Sequence, residues 1–121
     1  MALRELLLAH RFRVVAETAC ASEAVRLCAH HCPDLALLDV SLAVQGEPST
    51  MRTIRNQCPQ ALLLLLDAAP STSRQVEAFR AGAVGYLNKR IAPEQVLAAV
   101  ALAVRGLFVC CLPLSPLAPS R

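Results

Sequence analysis

Three short apolar runs in this 121-residue chain each finish on a charged side chain. Leu35-Ala36-Leu37-Leu38 runs into Asp39, the five leucines Leu62 to Leu66 run into Asp67, and Val84 to Leu87 runs through Asn88 into Lys89. Runs of this length, without helical spacing and with turn chemistry on either side, read as buried strands. One strand-plus-helix unit separates each charge from the next, so parallel strands would set all three ends along one sheet edge. Ligands and chemistry gather outside the carboxyl ends of such sheets. Two carboxylates and an ammonium in one crevice suit phosphoryl chemistry or a metal ion.

The intervening sequence supplies the elements that must position these ends. Leu3, Leu6, Leu7 and His10 share one face of a short first helix. Phe12 to Ala16, with Val14 and Val15, reads as a strand. Ser22 is expected to cap a helix reaching about His31, with Ala24, Val25, Leu27 and Cys28 turned to the core, and Cys32-Pro33 stops it. A loop of small residues, Ala43 to Ser49, leads to a helix near Thr50–Gln57 carrying Met51 and Ile54 inward. Cys58-Pro59 stops that one. Pro70, Ser71 and Ser73 provide a turn and cap for a helix over Arg74–Ala81, which Gly82 ends as a left-handed residue would. Pro93 opens the last helix, which runs to about Arg105 before Gly106. Beyond it, Pro113, Pro116 and Pro119 and the loss of periodicity predict an irregular tail. The chain thus divides into a domain over residues 1–106 and a tail over residues 107–121. Strands alternating with helices mean βα crossovers, a parallel sheet and helices on both of its faces: an α/β fold of four strands and five helices.

Composition narrows the function. The chain is 55% hydrophobic, 17% charged and only 3% aromatic, with a net charge of +3. Lys and Arg are scattered and no basic recognition helix stands out, so nucleic-acid binding is not supported. The most apolar window, Val96 to Leu114, has Arg105 and Gly106 near its middle and an ordinary helix start at Pro93, so it is read as no membrane span. Six cysteines without a signal peptide point to reduced, mostly buried thiols in a cytoplasmic protein rather than to a disulfide scaffold. In Cys28-Ala-His-His-Cys32 the two cysteines share a helix face, but the adjacent histidines diverge and no second ligand pair exists, so a zinc site is rejected. Nothing beyond their place next to an apolar helix marks Cys110 and Cys111 for lipidation. No Gly-rich phosphate loop or nucleophile elbow is present.

Pro33-Asp-Leu-Ala-Leu-Leu-Asp-Val40, Ala81-Gly-Ala-Val-Gly-Tyr-Leu-Asn-Lys89 and the following Ile91-Ala-Pro-Glu94 resemble the receiver domain of two-component response regulators, most closely the LuxR/NarL type, over roughly residues 3 to 106. The resemblance implies a flavodoxin-like, three-layer α-β-α sandwich lacking its first strand. It implies a phosphorelay signalling module and not an enzyme, with a sensor histidine kinase as partner and homodimerisation through the last helices. Asp39 matches the phosphoacceptor, Lys89 the lysine that contacts the phosphoryl oxygens, and Tyr86 the aromatic that couples the site to the output face. Magnesium is the implied cofactor, with Asp39 as one ligand. The departures are specific. The paired acids that close the family's first strand are absent, Asp67 stands where a Ser or Thr is expected, and Ala43 replaces a proline. With its first strand missing the chain reads as truncated at its N-terminus, and it lacks the helix-turn-helix output domain expected of this type.

Asp67 bears directly on activity. Unit charges about 5 Å apart at an effective dielectric of about 20 interact by roughly 3 kcal/mol. The expectation is therefore that Asp67 repels an incoming phosphoryl group, competes for Lys89 and impairs phosphorylation. A phosphorylation-independent pseudo-receiver interaction module and a non-functional fragment of a transcription factor are the alternatives. Loss of a first strand should leave Phe12–Ala16 paired directly with the strand of Asp39, or leave that edge open.

Overall fold

The computed structural model describes residues 3–45 and 49–112. The leucine-rich runs form the centre of a parallel sheet: β1 (Leu35–Asp39), β2 (Leu62–Asp67) and β3 (Gly85–Asn88), with a short β4 (Val109–Cys110) beyond β3. Side chains alternate across a strand, and here the alternation sorts the leucines between two cores. Leu63 and Leu65 of β2, Leu38 of β1 and Tyr86 of β3 face one layer, where Met51, Ile54 and Ala78 meet them. Leu64 and Leu87 face the other, against Val96, Ala99, Val100 and Ala103. The first layer includes α2 (Ala21–His31), α4 (Thr50–Gln57) and α5 (Thr72–Arg80). The second is α1 (Leu3–Ala9) with α6 (Pro93–Val104). The three-layer α-β-α sandwich expected from the alternating elements is the observed one.

Helix ends follow their side-chain chemistry. Ser49 accepts a hydrogen bond from Arg52 N at 3.2 Å and Ser71 from Arg74 N at 3.2 Å, so each satisfies a backbone donor that the first turn leaves free. The cap expected at Ser22 is displaced. The helix begins at Ala21 with Cys20 as its cap residue, and no side chain closes it.

Three other differences matter. Phe12–Ala16 forms no strand: Val14 and Val15 are half-buried, and no backbone hydrogen bond joins them to β1. A strand needs a ladder partner. Here the valines and the edge of β1 flank a groove of about 970 Å³ instead, so the β1 edge stays open. Six helices are present among the described residues, because a single-turn α3 (Val40–Ala43) starts directly after Asp39, ahead of the expected loop and sharing only Ala43 with it; residues 46–48 of that loop lie outside the described residues. Ala43 is 1% exposed, wedged into the first core. The segment expected to be irregular from Leu107 supplies β4 before it leaves the described residues at 113.

Gly82 ends α5 as expected, with φ of +106°. A Cβ there would also collide with the Arg55 guanidinium, whose Nη1 donates to Ala81 O at 2.9 Å. The guanidinium can shift, so backbone strain dominates. Gly82→Ala is expected to destabilise the fold by about 1–2 kcal/mol. A urea titration should show a lower midpoint with an unchanged slope; an unmoved midpoint would show that the position tolerates a side chain.

Candidate functional site

Alternation along the strands also decides which charges meet. Asp39 follows Leu37, and Lys89 follows Leu87; both leucines belong to the α1–α6 layer. Asp67 follows Leu65 and belongs with Tyr86 on the opposite layer. Two separate constellations result, one on each side of the sheet edge.

In the first, Lys89 reaches across the end of β2 to Asp39. Its backbone is fixed by Lys89 N donating to Asp67 O at 2.9 Å, and its ammonium forms an ion pair with Asp39 Oδ2. Asp39 is also the cap residue of α3: its Oδ1 accepts from Ser41 N at 2.9 Å and from Ser41 Oγ at 2.8 Å. The carboxylate side chain is 25% exposed and the lysine 53%. The hydrogen bond from Lys89 holds the Asp39 carboxyl below its ordinary pKa, with the Ser41 donors assisting against a smaller upward push from burial. At neutral pH the group is therefore an ionised, solvent-reachable carboxylate with a cation beside it. A carboxylate so placed has beside it a cation of the kind that stabilises an incoming anion.

The second constellation is buried. Asp67 is 6% exposed, and its Oδ2 accepts from Tyr86 Oη at 2.5 Å and from Arg74 Nε at 2.8 Å, while Oδ1 accepts from Ala69 N at 2.9 Å. Burial raises its pKa, but these three donors outweigh burial and the net shift is downward. Tyr86, 0% exposed, in turn accepts from Ser71 N at 3.1 Å. Burial, with Asp67 adding to it, pushes the phenol above its ordinary value.

The expected competition of Asp67 for Lys89 is thus corrected. Asp67 pairs with Arg74 and Tyr86, and Lys89 pairs with Asp39. Nor is Asp67 a turn residue open to water. Asp39 and Lys89 do come together as their strand-end positions suggested. Ser41 and Arg74 were not picked out from the sequence. Period-two alternation, applied across all three strands, was the signal that could have separated the two carboxylates.

The residues present do not fit a resident magnesium ion. Asp39 is the one strand-end carboxylate on the Lys89 side, and both its oxygens are engaged by Ser41 and Lys89. Among the described residues no three His, Cys, Asp or Glu side chains cluster in a way that could hold a metal. The six thiols are free, but only Cys28 and Cys58 are buried, so the expectation of mostly buried thiols is corrected. Among the described residues no helix is long and apolar enough to cross a membrane.

Comparison with known proteins agrees with the observed fold. The response regulator UvrY of Escherichia coli (strain K12) is 30% identical over 88 residues, covering 73% of this chain and 40% of the relative. The chain therefore spans well under half the length of that curated relative. A LuxR-family two-component response regulator from Aurantimonas sp. SI85-9A1 superposes with a TM-score of 0.75 at 30% identity, covering 88% of this chain and 77% of that one. A response regulator protein from Burkholderia pseudomallei, solved with a phosphorylated aspartic acid, calcium ion and citrate, gives 0.70 at 25% identity, covering 86% of this chain and 62% of that one. Residues 1–101 match the response regulator receiver domain family, and the chain belongs to that family of two-component signalling proteins.

Proposed function

We propose that Asp39 is the phosphoacceptor of this receiver domain and that Lys89 stabilises the phosphoryl group it takes from the phosphohistidine of a sensor histidine kinase. A carboxylate oxygen of Asp39 attacks phosphorus, the P–N bond breaks, and the histidine nitrogen leaves with the bonding pair. The product is an acyl phosphate on Asp39. The Lys89 ammonium exchanges its carboxylate partner for the phosphoryl oxygens, and Ser41 keeps the side chain aimed out of the strand. The observation that carries this reading is the ion pair joining the end of β1 to the end of β3 across β2. The phosphorylated aspartate of the Burkholderia relative supports it.

Receiver domains generally bind magnesium at the phosphorylation site. With the donor set described above, charge neutralisation in this chain falls chiefly on Lys89, and phosphorylation is slow. Incubation with a small phosphodonor followed by intact-mass measurement tests the assignment. One phosphoryl group should be added to the native chain and none to Asp39→Asn. An adduct that persists in Asp39→Asn would contradict it.

Asp67 is offset by Arg74 and directed to the other layer, so it is not the cause of slow phosphorylation. Asp67→Thr is expected to leave the rate of uptake within about threefold, since a charge pair this close to its counter-ion exerts little net field at a distance. Acceleration of tenfold or more would reinstate direct repulsion by Asp67.

A further inference from the structure

The edge of β3 turned away from β2 carries a docked segment for which the phosphoryl site has no use. After α6 the chain turns at Gly106, where φ is +90° and an added Cβ would meet nothing within 4 Å. Phe108 to Leu112 then run alongside β3. Val109 N donates to Val84 O at 2.9 Å and Cys111 N to Tyr86 O at 2.9 Å, with Gly85 opposite Val109 and Tyr86 opposite Cys110.

Gln75 closes the far end. It lies on α5, is 0% exposed, and grips one residue's backbone with both ends of its amide: Nε2 donates to Leu112 O at 3.0 Å and Oε1 accepts from Leu112 N at 3.1 Å. A primary amide used in this way imitates the next rung of a strand ladder. At the near end, the Phe108 ring stands edge-on to Phe79 with centroids 5.8 Å apart. Cys111 packs against the core that contains Tyr86 and Ala78.

The two sides of this contact differ in kind. Gln75 and Tyr86 are fixed and fully buried, whereas Phe108 is 70% exposed and Val109 to Leu112 are only half-buried. The ladder has two pairs, and a short segment held by few buried contacts opens more readily than a core strand. An empty surface would leave the Gln75 amide without partners at the edge of the core, which favours any extended backbone that fills it. Strand addition of this kind takes affinity from the main chain and selectivity from side-chain positions.

We propose that the β3 edge, Gln75 and Phe79 form a strand-accepting surface whose occupant is this chain's own segment Phe108–Leu112, which detaches as a unit about Gly106 while the rest of the fold stays closed. The surface selects a parallel, extended peptide with an aromatic residue at the position of Phe108 and a small apolar one at that of Cys111. Tyr86 holds the strap through its backbone carbonyl and the Asp67 cluster through its hydroxyl.

Amide hydrogen exchange on the full chain tests this. The amides of Val109, Cys111 and Leu112 should exchange at least tenfold faster than those of β2, yet slower than free peptide. Gln75→Glu, whose carboxylate cannot donate to Leu112 O, should speed the three amides a further tenfold or more and leave β2 unchanged. Should that variant fail to fold, Phe108→Ala, at an exposed position, should speed Val109 and Cys111 severalfold. Exchange of the three amides only together with β2, or no response to either substitution, would overturn the proposal. Slowing as protein concentration rises would overturn it as well, because the occupant would then be the segment of a second copy.

Discussion

Asp67→Ala is expected to lower the free energy of unfolding by about 2–3 kcal/mol at neutral pH. The substitution removes the acceptor of three hydrogen bonds, two of them from Tyr86 and Arg74 to the same buried oxygen. Each charge-assisted bond to a buried carboxylate contributes roughly 1.5–3 kcal/mol in isolation. The sum is discounted because the Arg74 side chain is 44% exposed and water replaces much of what it loses. Tyr86 retains only the donor from Ser71. The effect depends on pH in a definite direction. The folded-state pKa of Asp67 lies below its ordinary value, so its contribution is fully present above the unfolded-state pKa of about 4 and is lost as pH falls through the folded value. Denaturant titrations at pH 7 and near pH 3 should therefore show a large gap between native and Asp67→Ala at the higher pH and a smaller one at the lower. A gap that stays constant across this range would show that packing, not charge, is what Asp67 supplies.

Lys89→Ala is expected to reduce phosphoryl uptake at Asp39 by about 100-fold or more, the usual penalty for removing a preorganised group that meets developing charge. The same substitution should change stability by less than about 1 kcal/mol, since the Lys89 side chain is 53% exposed and such pairs contribute little to folding. Lys89→Arg should recover part of the rate, limited by its different reach and fork geometry. The Asp39 carboxyl supplies an independent readout. Loss of the Lys89 hydrogen bond, the largest influence on it, should move its titration upward toward the ordinary carboxylate value. Time-resolved intact mass gives the rate and carboxyl-carbon NMR gives the titration. An unchanged rate would remove Lys89 from the chemistry.

The leucine runs made the central strands legible, because five consecutive leucines are buried whichever face they take and their ends are marked by the first charge. Ser71 announced its helix through a hydroxyl placed to meet a free backbone donor, whereas the matching cap at Ser49 was hidden in a loop of small residues. The Asp39–Lys89 pair was legible for the same reason as the strands: the spacing of whole βα units leaves few places where the ends can go. What could not be read lies where the outcome depends on a distant partner. Phe12–Ala16 has the composition of a strand, but no neighbouring edge hydrogen-bonds to it, so it stays without a ladder. Val109–Cys110 sits in an apparently aperiodic stretch and becomes a strand because β3 and Gln75 offer it backbone partners. The edge that Asp67 occupies was legible from its strand end, but its counter-ion was not, because that depends on the face to which each residue points.

The most direct measurement is to locate the phosphoryl group after incubation with a small phosphodonor. Reductive trapping of the acyl phosphate, followed by peptide mapping by mass spectrometry, identifies the carboxylate that carried it. The predicted result is a single trapped residue, Asp39, absent from Asp39→Asn. Trapping at Asp67 or Asp34, or a labile phosphoryl group that resists reduction and maps to a histidine, would contradict the assignment of Asp39 as the phosphoacceptor.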